Sequence, residues 1–371
     1  MALAATERGS ALDRLDWDHL HFYVGNAKQA AHYYATAFGF RIVAYAGPET
    51  GSAGRVSYAL EQHGLRFVVS TSLGWGDPIA EHVRVHGDGI RDVALCVADA
   101  AAAFRAAVAS GARPVTEPHV LEDAAGRAVL ATIATYGDTV HTFVERHAYR
   151  GAFLPGFVAL EDSPGAAAAP ELRAIDHCVG NVGWDEMDAW VAFYGKTFGF
   201  SQLVSFDDRD ISTEYTALRS KVMSDADHRV KFPINEPARG LRKSQIEEYL
   251  DFYGGPGIQH VAITTGDIVA TVRALRRNGV QFLQTPASYY DTLAERVGTI
   301  DESLATLREL SILVDRDDLG YMLQIFTKPL QDRPTLFFEI IQRRGSLSFG
   351  KGNFKALFVS IEEEQAKRGN L

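Results

Sequence analysis

The chain has 371 residues, of which 46% are hydrophobic, 23% charged and 11% aromatic, a balance that excludes disordered and fibrous classes. Its 37 basic and 47 acidic side chains leave a formal net charge of -10, so neither nucleic acid nor an anionic membrane has overall electrostatic support as a partner. At about 100–200 residues per domain, this length suggests two or three domains, with two the starting expectation.

The opening stretch MALAATERGSALDRLDWD contains no uninterrupted apolar run, and nowhere do about 20 apolar residues follow one another, so neither a leader nor a membrane span is expected. Cys96 and Cys178 each lie inside an apolar run and read as buried thiols of a reducing compartment, which makes the protein cytoplasmic by expectation.

In chain order, the dominant signal is a repeat. Phe22 to Asn26 (FYVGN) precedes a helical stretch ending in Phe38-Gly39-Phe40. Gly89-Ile90-Arg91-Asp92-Val93 opens a second run, followed by Asp99 and the helix former AAAAFRAAVASGA. Thr142-Phe143-Val144-Glu145 closes the first half. The same series returns as His177 to Asn181 (HCVGN) ending in Phe198-Gly199-Phe200, then Gly257-Ile258-Gln259-His260-Val261 with Asp267, then Leu336-Phe337-Phe338-Glu339. Gly89 to Gly257 and Asp99 to Asp267 are each separated by 168 residues. Each copy reads as a short strand, an amphipathic helix and further strands, which predicts an α+β fold of paired βαβββ modules closing into open, barrel-like cups. Units start near residues 18, 89, 174 and 257 and pair into domains at 1–155 and 172–371. The join is EDSPGAAAAPE, 161–171, whose composition marks a linker. A carboxy-terminal helix is expected, with Phe354, Leu357, Phe358 and Ile361 forming one apolar face.

Strand starts of paired modules face one another across a cup. In the second domain these positions hold His177 and His260, with Glu339 on the last long strand. Two imidazoles and one carboxylate with open positions form the facial set suited to non-haem Fe(II). The first domain matches these with Phe22, Asp92 and Glu145. Phe22 cannot ligate, so that domain is expected to lack metal and to be structural or to set the oligomer. Around Glu339 the chain is rich in aromatics (Phe326, Phe337, Phe338, Phe349, Phe354) and in amides (Asn235, Gln245, Gln259, Gln324, Asn353). Phe walls and buried amides share one purpose if they hold a polar aromatic ligand. Arg343-Arg344 and the tail EEEQAKRGN read as solvated surface.

The stretches VKFPINEP, EYLDFYGGPGIQHVAI, SYYDTL, GYMLQIFTKPLQDRPTLFFEIIQRRG and FGKGNFKALF resemble the 4-hydroxyphenylpyruvate dioxygenase family of the vicinal-oxygen-chelate superfamily. The likeness runs from about residue 15 to the end and is strongest over 172–371. It implies an Fe(II) enzyme, one ion per chain, that converts 4-hydroxyphenylpyruvate and O2 to homogentisate and CO2 in tyrosine catabolism. It implies His177, His260 and Glu339 as iron ligands, and Phe326 with Phe354 as the pair that sandwiches the substrate ring. Ser220, Asn235, Gln245, Gln259, Gln324 and Asn353 become a polar pocket with Pro233 and Phe337 as packing, and the last helix becomes a gate. Dimers or tetramers through the first domain are also implied. The nearest alternative is 4-hydroxymandelate synthase, which shares ligands and substrate but oxygenates the benzylic carbon; Phe326 and Pro233 favour the ring-hydroxylating pattern. A metal-free binding module, or a glyoxalase or extradiol enzyme, would use the same scaffold.

Overall fold

The computed structural model describes residues 12, 14–161, 163–207 and 212–370. Most of the stretch read for a leader, 1–11 and 13, lies outside the described residues, as does 162 in the expected linker.

The first half contains β1 (Asp16–Tyr23), α1 (Ala27–Phe38), β2 (Arg41–Ala46), β3 (Arg55–Gln62), β4 (Leu65–Ser72) and α2 (Pro78–His86). It continues through β5 (Gly89–Cys96), α3 (Ala100–Ala109), β6 (Pro114–Asp123), β7 (Gly126–Ala134), β8 (Val140–Glu145) and the short β9 (Val158–Ala159). The second half holds β10 (Ile175–Asn181), α4 (Met187–Phe198), β11 (Ser201–Phe206), β12 (Ala217–Ser224), β13 (Lys231–Ala238), α5 (Gln245–Tyr253), β14 (Gly257–Thr264) and α6 (Ile268–Arg277). An excursion through α7 (Leu293–Val297) and α8 (Leu304–Leu310), which the first half lacks, leads to β15 (Leu313–Asp317), β16 (Gly320–Phe326), β17 (Phe337–Arg344) and α9 (Phe354–Lys367).

Two mixed sheets result, one of nine strands in the order β6-β7-β8-β5-β1-β4-β3-β2-β9 and one of eight in the order β11-β12-β13-β10-β14-β17-β16-β15. Both curl into half-barrels, and their centres match strand for strand: β1 and β10 run antiparallel to β5 and β14, which run parallel to β8 and β17. The repeat works through punctuation. Asp99 and Asp267 cap α3 and α6, accepting hydrogen bonds from Ala102 N at 2.8 Å and Ala270 N at 2.9 Å. Gly39 and Gly199 end α1 and α4 at φ of 76° and 69°, the left-handed conformation that a Cβ would strain.

Ladder register corrects the equivalences read from the short motifs. Ala94 pairs His19 as Ala262 pairs His177, and Leu95 pairs Phe143 as Ile263 pairs Ile340. The first-half counterparts of His177, His260 and Glu339 are therefore His19, Asp92 and Thr142, not Phe22, Asp92 and Glu145. Phe22 belongs to the core. Glu145 corresponds to Gln342: their side chains accept from the first N–H of α3 and of α6, at 3.1 and 2.7 Å.

The helices of the two halves share one core. Tyr34, Phe38 and Phe67 pack on Phe338, with ring centroids 6.1, 5.2 and 5.7 Å apart, and His141 meets the Tyr194 hydroxyl at 2.9 Å. A shared core leaves the concave face of each sheet free to line a cup. No described helix is long and apolar enough to cross a membrane.

Candidate metal centre

Three adjacent strands of the second sheet carry the potential ligands: His177 on β10, His260 on β14 and Glu339 on β17. Their register places Val179 opposite His260 and Ala262 opposite both His177 and Glu339, so the three side chains converge on one spot of the concave face. His177 Nε2 lies 3.3 Å and His260 Nε2 3.6 Å from Glu339 Oε2, and all three potential ligand atoms fall within 4.8 Å of one another. This is the one such grouping among the described residues.

The groups behind the ligands fix which nitrogen faces the centre. His177 Nδ1 lies 2.7 Å from Asp176 Oδ1, and a carboxylate only accepts, so Nδ1 carries a proton and, in the neutral ring, Nε2 is the nitrogen that keeps its lone pair. Gln259 Oε1 does the same for His260 Nδ1 at 3.0 Å. Asp176 is itself gripped by Arg343, whose Nε and Nη2 donate at 2.8 and 2.9 Å, with Lys231 Nζ 3.4 Å away. Burial works against charge on Glu339, yet the facing imidazoles pull its carboxyl down to about 2, so it is ionised at neutral pH. Burial lowers the His260 pKa, whereas on His177 it is outweighed by Glu339 and Asp176, which raise the value. An anionic carboxylate, two oriented imidazoles and a buried floor fit a divalent transition-metal ion.

Above the three ligands lies a cavity of about 90 Å³. Ser220 (β12), Pro233 and Asn235 (β13), Gln245 (first turn of α5), Gln259 (β14), Gln324 and Phe326 (β16), Phe337 (β17), Phe349 and Phe354 all line it. Phe337 stacks on the His260 ring at 4.8 Å and 18°, while Phe326 meets the same ring edge-on at 6.0 Å. Gln324 is buried, and its Oε1, which lies close to Gly350, has no hydrogen-bond partner among the described residues. Phe354, Leu357, Phe358 and Ile361 of α9 close the roof. Asn353 is not on the wall. It is fully buried at the start of α9, where its Oδ1 accepts from the Tyr289 hydroxyl at 2.7 Å.

Of two stretches read as solvated surface, Arg344, Glu363 and Lys367 are exposed as expected, but other members are built in around the site. Arg343 holds Asp176, donates to the carbonyls of Ser346 and Ser348 at 3.1 and 2.7 Å, and lies 5.5 Å over the Phe349 ring. In the tail, Glu362 accepts from the Thr216 hydroxyl at 2.6 Å, Gln365 is fully buried, and Arg368 forms a two-pronged pair with Glu248 at 3.0 and 2.7 Å. These contacts clamp α9 over the cavity. Asp176 and the roles of Arg343 and Tyr289 were missed in the sequence; the repeated dipeptides Asp18-His19 and Asp176-His177 were the available signal for the first of them.

Asp176→Asn keeps the shape of the side chain and removes its charge. Metal affinity, measured by competition with a chelator, is expected to fall about 10–100-fold, the usual cost of losing a ligand's supporting partner. Unchanged affinity would mean that the His177 ring is oriented by packing alone.

Residues 174–325 match the family model described as Glyoxalase/Bleomycin resistance protein/Dioxygenase superfamily. The chain is 51% identical to the 4-hydroxyphenylpyruvate dioxygenase of Yarrowia lipolytica, over 96% of this chain and 93% of that protein. It is 48% identical to the one from Danio rerio, over 99% and 95%. Among solved structures it superimposes on a triple mutant of 4-hydroxymandelate synthase from Streptomyces coelicolor with a TM-score of 0.83 and 32% identity, covering 94% of this chain and 98% of that one. Identity of about one half over nearly the full length of both partners shows that the chain belongs to the 4-hydroxyphenylpyruvate dioxygenase family.

Proposed function

We propose that the protein is an Fe(II)-dependent dioxygenase, one ion per chain, that takes 4-hydroxyphenylpyruvate and O2 to homogentisate and CO2. The observation that carries the reading is the convergence of His177, His260 and Glu339 beneath a phenylalanine-lined, amide-studded cavity, in a chain about half identical to enzymes of that name. The 172–371 half would be the catalytic domain, and the 1–155 half a related cup without the metal.

Ferrous iron bound there supplies the redox chemistry for O2 and the Lewis acidity that holds a 2-oxo acid. The chain's own residues position and seclude. Phe326, Phe337 and Phe354 offer apolar faces for the substrate ring, and Ser220, Asn235 and Gln245 offer hydroxyl and amide groups that orient a phenol without a shifted pKa. Gln324 adds a further amide side chain to the same wall. The apolar face of α9 keeps water from the reacting end, where misplacement by about 1 Å is costly. No side chain is asked to act as a general base. The substrate carries its own 2-oxo acid, so neither 2-oxoglutarate nor an external reductant enters.

The test is anaerobic reconstitution with Fe(II), addition of substrate and O2, and identification of products beside a His260→Ala control. Homogentisate from wild type and none from the control is the expected outcome. The structural likeness to 4-hydroxymandelate synthase makes benzylic oxygenation the second reading, and 4-hydroxymandelate as main product would overturn the first. Tyrosine catabolism in the cytoplasm and a dimer or tetramer built on the first domain complete the proposal, the last checked by sedimentation of the purified chain.

A further inference from the structure

The amino-terminal cup is not an empty copy of the catalytic one. It encloses about 390 Å³, within the range of small-molecule sites. Its floor holds His19, whose Nδ1 lies 2.6 Å from Asp18 Oδ1, just as His177 is held by Asp176. The other two metal-centre positions have changed chemistry. Asp92 takes the place of His260, and both its oxygens are satisfied by Thr142, through N at 3.0 Å and Oγ1 at 2.5 Å. That carboxylate is therefore spoken for inside the fold.

Two guanidinium groups that have no counterpart at the metal centre line the same cup, Arg55 from β3 and Arg91 from β5. No carboxylate of the described residues forms an ion pair with either. Arg91 Nη1 is shielded from solvent and has no hydrogen-bond partner among the described residues, a buried cationic donor of the kind a native fold seldom leaves unmet. Both cations act on His21, and its Nε2 is already engaged with Ser70 Oγ at 2.7 Å. Phe153, which packs edge-on to His19 at 5.2 Å, provides an apolar wall together with Leu154. A cavity with unpaired guanidinium groups and an aromatic wall is complementary to an anion on an apolar body.

We propose that this cup is a second ligand site, selective for a small organic carboxylate with an aromatic or alkyl body. The carboxylate pairs with Arg91 and Arg55, and the body rests on Phe153. Nothing in this assignment depends on metal or on turnover at the other centre.

The probe is 3-phenylpropionate, which lacks the 2-oxo group needed to chelate a metal, titrated calorimetrically into the full-length metal-free chain. The neutral 3-phenylpropan-1-ol is the comparison. Saturable binding of the acid is expected, with no measurable binding of the alcohol. Losing one charged hydrogen-bond donor should weaken the acid about tenfold or more in Arg91→Gln and in Arg55→Gln, and Phe326→Ala in the catalytic cavity should leave it unchanged. Arg55 is exposed, so its replacement leaves the fold intact and keeps the test open if Arg91→Gln proves unstable. Absence of binding, equal binding of acid and alcohol, affinity untouched by the arginine changes, or loss only in Phe326→Ala would each overturn the assignment.

Discussion

Glu339→Ala is expected to abolish metal retention and turnover while leaving the apo fold standing. Glu339 is the anionic member of the proposed ligand set, and its oxygen lies within 3.6 Å of both imidazole Nε2 atoms. Without it, two neutral imidazoles remain. The loss should exceed the roughly 100-fold that removal of a supporting partner costs, because the lost group is itself a ligand. Stability argues the same way. A carboxylate taken from a buried site removes the charge that raises the His177 pKa, and His177 keeps Asp176, so no uncompensated charge is left behind. Metal bound to the native state alone raises the melting temperature by mass action, and this shift should vanish in the variant. The measurements are metal content after anaerobic reconstitution, the Fe(II)-dependent thermal shift, and product formation. Full metal content with turnover near that of wild type would place the metal elsewhere.

That His177, His260 and Glu339 converge was legible because the 168-residue repeat put His260 at a strand position with a clear partner, and because the surrounding motifs are long. The first-half equivalences were not legible, for a reason visible in the backbone. Val-Gly-Asn occurs in both halves but does different work: Asn26 caps α1, accepting from Gln29 N at 3.1 Å, whereas Asn181 still lies in β10 and a further turn precedes α4. Matching the tripeptides therefore slid one strand against the other and set Phe22 opposite His177. Thr142-Phe143-Val144-Glu145 misled in the same manner, since a shared glutamate letter concealed a helix-capping role at Glu145 and a place beside His177 and His260 at Glu339.

Wall residues followed from composition only in part. Phenylalanines and amides clustered near the potential ligands announce a cavity, and the predicted apolar face of α9 is the face that closes it. What composition cannot convey is which polar group points inward: Asn353 belongs to the same cluster yet serves Tyr289 beneath the helix. Charged residues were hardest to place. A paired Arg-Arg and a tail of Glu, Gln and Lys carry the composition of a solvated face, and only the fold reveals that Arg343 reaches Asp176 across 167 positions of sequence.

That contact yields the second large effect. Arg343→Met, which retains much of the aliphatic bulk, is expected to destabilise the protein by about 3–5 kcal/mol, the range for breaking a buried ion pair from one side. The carboxylate of Asp176 is buried, and Arg343 supplies two of its three short hydrogen bonds; without them His177 Nδ1 at 2.7 Å is its remaining close donor and Lys231 at 3.4 Å the nearest cation. The pair is bidentate and largely shielded from water, unlike a surface bridge worth at most about 1 kcal/mol. The consequence extends past stability. Arg343 also fixes the carbonyls of Ser346 and Ser348 and lies over Phe349, whose ring packs 5.1 Å from that of His177. Loss of the guanidinium therefore loosens the His177 ring from both sides, through Asp176 and through Phe349. Urea unfolding of the metal-free protein should show the lower midpoint, and metal affinity in the folded variant should fall as in Asp176→Asn. The double variant Arg343→Met with Asp176→Asn separates the causes: if the cost is an unpaired buried charge, neutralising Asp176 recovers most of the stability but none of the metal affinity. A double variant no more stable than Arg343→Met alone would assign the loss to the packing of the 345–350 segment instead.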